Sequence, residues 1–288
     1  MRRRCAPGGR NLPPTSSAHP TLLRAHRTPL RSPVNPVHHS ARSAAFPVDP
    51  PASLSDPQTI ADHEWRAFSA LPEMGNHWDR PGWTASTRRY YWFLTTEHSP
   101  KVAELAVQCQ QPLPGNTFDR VPADGLHVTI ARIGDARQVD KQTLDDLADA
   151  ARLRCHAVPS FKLQAIPIAG SRGAIRMSLA PWEPLLALHQ AVDTAYTDIG
   201  LHERHPPQDF RPHLGVAYCN QTTDAERVRE QIQPLRALAP QELDVREVHL
   251  VELRRENRAY RWDVAHTVPL RPQNALATTV GRTVTPGE

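Results

Sequence analysis

From Arg89 onward the chain switches repeatedly between a two-residue and a three-to-four-residue hydrophobic period. Arg89-Tyr90-Tyr91-Trp92-Phe93-Leu94-Thr95 is rich in aromatic residues and predicts a strand. Ser99-Pro100 has the form of an N-cap followed by proline at the first helical position, which predicts a helix to about Gln110. Residues 112–122 read as a loop. In Gly125-Leu126-His127-Val128-Thr129-Ile130, apolar Val128 and Ile130 alternate with His127 and Thr129, so one strand face is apolar and the other carries an imidazole and a hydroxyl. Asp140 to His156 places Leu144, Leu147, Ala148 and Ala151 at helical spacing.

Two strands, residues 161–168 and 174–179, then read as a hairpin over the four-residue connection Gly170-Ser171-Arg172-Gly173. A helix over 184–199 is closed by Gly200. The polar loop 201–209 leads into Arg211-Pro212-His213-Leu214-Gly215-Val216, a partial echo of the first histidine strand 86 residues later. On this parity Tyr218 faces away from His213 and reads as core. A helix over 225–238 follows, then single long strands over 243–253 and 260–268, joined by the turn Arg254 to Arg258. Ahead of all these, residues 58–71 predict a short amphipathic helix ended by Pro72, and residues 75–83 form a Trp-, Gly- and Pro-containing lead-in.

This order predicts an α+β fold with two similar halves, each delivering one histidine strand. The domain is expected over 74–270. Residues 1–73 are expected to form a disordered Pro/Arg-rich region, and 271–288 a flexible tail. Eleven of the 29 prolines fall in the first 57 residues, and 1–48 hold eight arginines with no acidic residue. Such a segment buries too little apolar surface to offset chain entropy. An organelle transit peptide is a second reading, opposed by the prolines. An over-extended gene start is a third, because Met74 opens directly into the expected domain. Without the eight arginines a net charge of +4 becomes −4, so a nucleic-acid-coating surface is not indicated.

No apolar run approaches the ~18 residues of a membrane span. The four cysteines (Cys5, Cys109, Cys155 and Cys219) show no CxxC pair, which points to a reducing cytoplasm rather than a zinc ribbon or disulfide framework. His202-Glu203-Arg204-His205 lies in a proline-flanked loop without further ligands and makes poor zinc evidence. No metal and no cofactor is expected, and a monomer is.

Two facing imidazoles suit phosphodiester chemistry without a metal, because one can be neutral and act as base while the other is charged and acts as acid. The phosphate also needs donors, such as the Thr129 hydroxyl, strand amides or an arginine.

The two motifs, His127-Val128-Thr129-Ile130 and His213-Leu214-Gly215-Val216, resemble the paired His-x-Ser/Thr-x signature of the 2H phosphoesterase superfamily, which includes the 2′-5′ RNA ligase-like proteins and cyclic phosphodiesterases. Phe210-Arg211-Pro212-His213, Ala217-Tyr218 and Trp78-Asp79-Arg80-Pro81-Gly82-Trp83 resemble the surroundings of these motifs in actinobacterial members. The resemblance implies a bilobal fold with two antiparallel-rich sheets around a central cleft. It implies hydrolysis of the 2′,3′-cyclic phosphate of an RNA end or small nucleotide, with His127 and His213 as the acid/base pair and Thr129 on the phosphate. Gly215 departs from the pattern. Its backbone N–H or Arg211 would have to replace the missing hydroxyl, and the alternative is an attenuated or non-catalytic RNA- or nucleotide-binding protein on the same fold.

Overall fold

The aromatic strand β2 (Arg89–Thr95) lies at the centre of a four-stranded sheet. It pairs on one side with β4 (His127–Asp135) and on the other with β10 (Glu247–Glu256), with β11 (Ala259–Pro269) outside β10. A second sheet has the order β3-β7-β6-β5-β9, built from β3 (Phe118–Arg120), β5 (Phe161–Ser171), β6 (Ala174–Ala180), β7 (His213–Cys219) and β9 (Gln241–Val245). A small clip joins β1 (Glu73–Met74) to β8 (Thr223–Asp224). Every strand pairing in these sheets is antiparallel. The fold is therefore α+β with two antiparallel sheets, one carrying each histidine strand.

The computed structural model describes residues 46–47, 49–201 and 210–273, all within one compact unit. Most of the expected disordered segment, the loop with His202 to His205, Cys5 and the tail from 274 lie outside the described residues. Among the described residues no helix is long and apolar enough to cross a membrane.

Alternation decides which residues of β2 meet which neighbours. Trp92 and Leu94 enter the main core with Val128, Ile130 and Ile133 of β4. Phe93 faces the other way, into a smaller cluster with Val251, Leu253, Tyr91, Trp83, Tyr260 and Trp262. Phe93 stands opposite Thr129, and Thr95 opposite His127, so the aromatic cluster and the first histidine motif share a face.

The helices are α1 (Pro57–Ser69), α2 (Pro100–Gln110), α3 (Lys141–Cys155), α4 (Glu183–Asp198) and α5 (Ala225–Ile232). The expected start of the domain at residue 74 is too late. Asp56 caps α1 by accepting from the Thr59 N–H at 2.7 Å, and Pro57 takes the first helical position. Ile60, Ala61, Glu64 and Phe68 form its buried stripe. Phe68 reaches so close to β5 that a Cβ at Gly170 would lie 2.4 Å from its ring, so only glycine fits there. Burying Ile60 and Phe68 contributes about 1.5–3 kcal/mol each. A chain beginning at Met74 would lack this helix.

Five further expectations are corrected. The stretch 243–253 is two strands, because the chain leaves the β5 edge after Val245 and enters the other sheet at Glu247. The loop 112–122 contains β3, which covers the free edge of β7. The helix from Ala225 tightens into a 3-10 turn over Gln233–Ala237, where Pro234 cannot donate to an α-helical bond. The β5–β6 hairpin closes tightly, with Ser171 already opposite Ala174. Past the expected boundary at 270, Arg271 still exchanges backbone bonds with Val158 and Ser160.

The face of β6 that meets α1 holds a buried ion pair. Arg176 is 0% and Glu64 1% exposed. Arg176 Nη1 donates to Glu64 Oε1 at 3.1 Å, and the Ser178 hydroxyl donates to Glu64 Oε2. Removing one partner of such a pair strands a charge. We expect Glu64→Ala to cost about 3–5 kcal/mol in denaturant unfolding, and the double change Glu64→Leu/Arg176→Met to recover most of it. Equal losses in both proteins would show that the pair is not what stabilises α1 on the sheet.

Candidate active site

Both motif histidines are fixed by the same local device. His127 Nδ1 lies 2.9 Å from the Gly125 carbonyl oxygen, and His213 Nδ1 lies 2.8 Å from the Arg211 carbonyl oxygen. A carbonyl can only accept, so Nδ1 carries the hydrogen in each ring and Nε2 keeps its lone pair. In each case the acceptor lies two residues upstream, where the chain enters the strand.

The surroundings leave both rings half-buried. His127 stacks on Phe93 at 4.2 Å and 18°, with Trp262 and Tyr260 edge-on at 5.3 and 6.1 Å. His213 is tilted against Phe46 at 5.2 Å. Burial holds the His127 pKa down at about 4, partly opposed by its bond to the Gly125 carbonyl. Burial, and then the Arg176 charge, hold His213 at about 3. His127 and Arg80 add to the depression of His213. Both are neutral at pH 7 in the free protein.

Thr129 shares the His127 face and stands opposite Phe93. Gly215 shares the His213 face, with Arg176 opposite it and Ser178 opposite His213. Arg211 precedes β7, and its side chain is directed to backbone carbonyls: Nε donates to Pro47 at 3.3 Å and Nη1 to Phe210 at 3.0 Å. Its carbonyl meets His213.

Tyr218 does not face away from His213. Opposite β6, Ala217 pairs with Ile175 but Gly215 pairs with Arg176, so Val216 is an extra residue. This bulge reverses the alternation beyond it and returns Tyr218 to the face of Gly215. The Val216 carbonyl accepts from the Val121 N–H at 3.0 Å and from the buried Gln110 amide at 2.8 Å, which holds the bulge in place.

Tyr218 joins a polar aromatic wall in which His77, Tyr260 and Arg255 were not singled out by the chain's motifs. His77 stacks on Tyr218 at 4.1 Å, accepts at Nδ1 from Arg80 at 3.3 Å, and bonds Tyr260 through Nε2 at 2.9 Å. Arg255 also donates to the Tyr260 hydroxyl at 3.0 Å. Burial and the Arg80 and Arg255 charges press the His77 pKa to about 2, so this third imidazole is a neutral positioning group. The Trp78-to-Trp83 motif supplies the rest. Trp78 Nε1 donates to Asp119 at 2.7 Å, and Arg89 and Arg255 pack over the Trp83 ring at 4.6 and 4.4 Å. That motif was the available signal for His77 and Arg80. Beside it, a groove of about 650 Å³ is lined in part by Arg120, Arg258 and Arg261.

Among the described residues, Glu97, His98 and Glu247 bring possible metal ligands within 4.8 Å of one another. Their carboxylates lie 3.4–4.0 Å from the Nε2 atoms of His98 and His249.

A family model and several solved structures are similar to the chain. No curated protein sequence matches it. Among solved structures, TT0787 of Thermus thermophilus is similar with a TM-score of 0.49 and 17% identity, covering 64% of this chain and 99% of that one. The crystal structure of E. coli LigT complexed with 3′-AMP gives 0.48 and 16%, covering 65% and 99%. The model of the 2′-5′ RNA ligase superfamily matches residues 96–257, a span that includes both histidine strands, β4 and β7. This chain belongs to the 2′-5′ RNA ligase superfamily, the 2H phosphoesterases.

Proposed function

We propose that this protein is a phosphoesterase that hydrolyses 2′,3′-cyclic phosphates of RNA ends or nucleotides by two-histidine acid/base catalysis, without a metal. The observation that carries the reading is the matched pair of imidazoles, each with Nδ1–H on a carbonyl and Nε2 left for proton transfer. In the reaction one Nε2 takes a proton from water as the water oxygen bonds to phosphorus. One ester bond from phosphorus to a ribose oxygen breaks, and the other histidine protonates that oxygen through Nε2. The next cycle starts after the two rings exchange a proton with solvent.

The depressed pKa values are compatible with this chemistry because the substrate brings the missing charge. A unit anion ~4 Å from an imidazolium is worth about 4 kcal/mol at an effective dielectric of 20. At 1.36 kcal/mol per pKa unit, that raises a histidine by roughly three units. A ring at about 4 in the free protein then titrates near neutrality when a phosphate is bound. Arg80 adds a cation whose field reaches His77, His213 and Tyr218. Arg120 and Arg258, in a groove that Asp119 also lines, would meet the phosphates of an RNA end longer than one nucleotide.

Gly215 favours a second reading, in which the site binds cyclic-phosphate ends with attenuated or no turnover. A hydrogen bond to a charged group contributes about 1.5–3 kcal/mol, enough to matter if nothing replaces it.

Turnover of 2′,3′-cyclic nucleotides and cyclic-phosphate-ended RNA by wild type, His127→Ala and His213→Ala tests the proposal. General acid–base groups contribute ~10²–10⁴-fold, so each variant should lose at least that much activity while keeping its fold. Binding without turnover by the wild type would select the second reading, and unchanged hydrolysis in both variants would remove the two-histidine mechanism.

Anion binding should also take up a proton. The free-protein pKa values are low and the bound ones higher, so affinity is greatest below the free value. It weakens by up to tenfold per pH unit from about 4 toward neutrality, and levels off above the bound pKa. Sulfate does not titrate in this range. Calorimetry of sulfate binding in two buffers of different ionisation enthalpy should return an uptake approaching one proton. A flat affinity from pH 4 to 8 would mean the anion does not sit between the imidazoles.

A further inference from the structure

The paired motifs are unequal, since Thr129 supplies a hydroxyl beside His127 and Gly215 supplies none beside His213. We propose that the Tyr218 hydroxyl takes the place of that missing group and donates to the phosphate on the His213 side. The inference rests on the phosphoesterase reading for its substrate, and deepens it by assigning a residue outside both His-x-Ser/Thr-x motifs to the site.

Three observations lead to it. A Cβ built at position 215 would lie 3.4 Å from the Tyr218 hydroxyl oxygen, 3.6 Å from Cε1 and 3.7 Å from Cζ. The phenol tip therefore stands in van der Waals contact with the place where the side chain of a serine or threonine would begin. The Val216 bulge is what makes this approach possible. On an unbroken strand Tyr218 and Gly215 would lie on opposite faces, whereas the extra residue brings them to one. The bulge is held from outside the strand by the Val121 N–H and the Gln110 amide.

The ring is clamped as a reactive-site group needs to be. His77 stacks on one face, and Tyr260 and Trp78 meet it edge-on at 5.3 Å each. Tyr218 is only 7% exposed, and its hydroxyl lies beside the position where the second motif lacks its own. Burial also raises the phenol pKa, so the group stays a donor throughout the neutral range.

Glycine at 215 then has a reason. A serine Cβ would meet the tyrosine oxygen at contact distance, and its hydroxyl would compete with the phenol for one space. Adding a hydroxyl at 215 in the wild type is thus expected to bring no gain, whereas adding it after the phenol oxygen is removed should restore function.

The test uses four full-length proteins: wild type, Tyr218→Phe, Gly215→Ser and the double variant. Each is assayed for hydrolysis of 2′,3′-cyclic nucleotides and for sulfate binding by calorimetry. Tyr218→Phe keeps the ring and its stacking, so its melting temperature should stay close to wild type while kcat/KM and sulfate affinity fall by about tenfold or more. Gly215→Ser alone should show no increase. The double variant should recover a large part of what Tyr218→Phe loses, a rescue that a merely structural tyrosine would not give. Full activity and affinity in Tyr218→Phe would overturn the inference, as would a gain in Gly215→Ser with no rescue in the double variant. If no protein of the four hydrolyses a cyclic phosphate, the phosphoesterase reading fails, and the sulfate affinities alone decide whether Tyr218 binds the anion.

Discussion

The candidate site depends on two half-buried imidazoles whose pKa values no acid among the described residues raises. Desolvation then favours the neutral form of each ring. A neutral imidazole has two tautomers, and only one leaves Nε2 free. The carbonyls of Gly125 and Arg211 choose that tautomer by taking Nδ1–H. Both carbonyls belong to residues just outside β4 and β7, so the choice follows from where each strand begins. The aromatic residues around His127 extend the same constraint, since Phe93 and Trp262 replace the water that would otherwise stabilise an imidazolium.

Around this pair the positive charge is placed rather than spread. Arg176 sits behind His213 with no exposure, and its charge lowers the pKa of that ring. A guanidinium cannot be buried alone, and Glu64 of α1 is its counter-charge. Helix α1 therefore does more than cover apolar surface. Phe68 seats it against Gly170, and Glu64 ties it to the strand whose arginine adjoins the His213 motif. The consequence is an electrostatic link from a helix before the family-matched span to the second histidine.

Much of this was legible in the sequence, and the gaps have physical causes. The period-two stretches at His127 and His213 and the helical stripes of α3 and α4 are local patterns, and local patterns were enough for the α+β class. The helix over 58–71 was legible too, but proline-rich composition before it pulled the expected boundary to 74, while a buried glutamate reads as a solvated one until its arginine is found 112 residues away. The switch of sheets after Val245 carries no glycine or proline to announce it. His77 and Arg80 lie in a loop without periodicity. Only the tertiary fold gathers them with Tyr218, Tyr260 and Arg255.

Position 215 shows why motif and geometry must be read together. Strand parity sends Tyr218 to the core side, and on that reading a glycine in place of serine or threonine is a loss. One extra residue at Val216 reverses the parity. The glycine then becomes the space into which the phenol oxygen reaches, 3.4 Å from where a Cβ would stand. A strand that offers its hydroxyl from the third residue after Gly215, rather than from position 215 itself, keeps the donor on a rigid ring clamped by His77 and Trp78. A rigid donor loses less conformational freedom on meeting an anion than a freely rotating serine would. The departure from the motif is thus compatible with a complete site, and the bulge at Val216 is the structural element on which that compatibility turns.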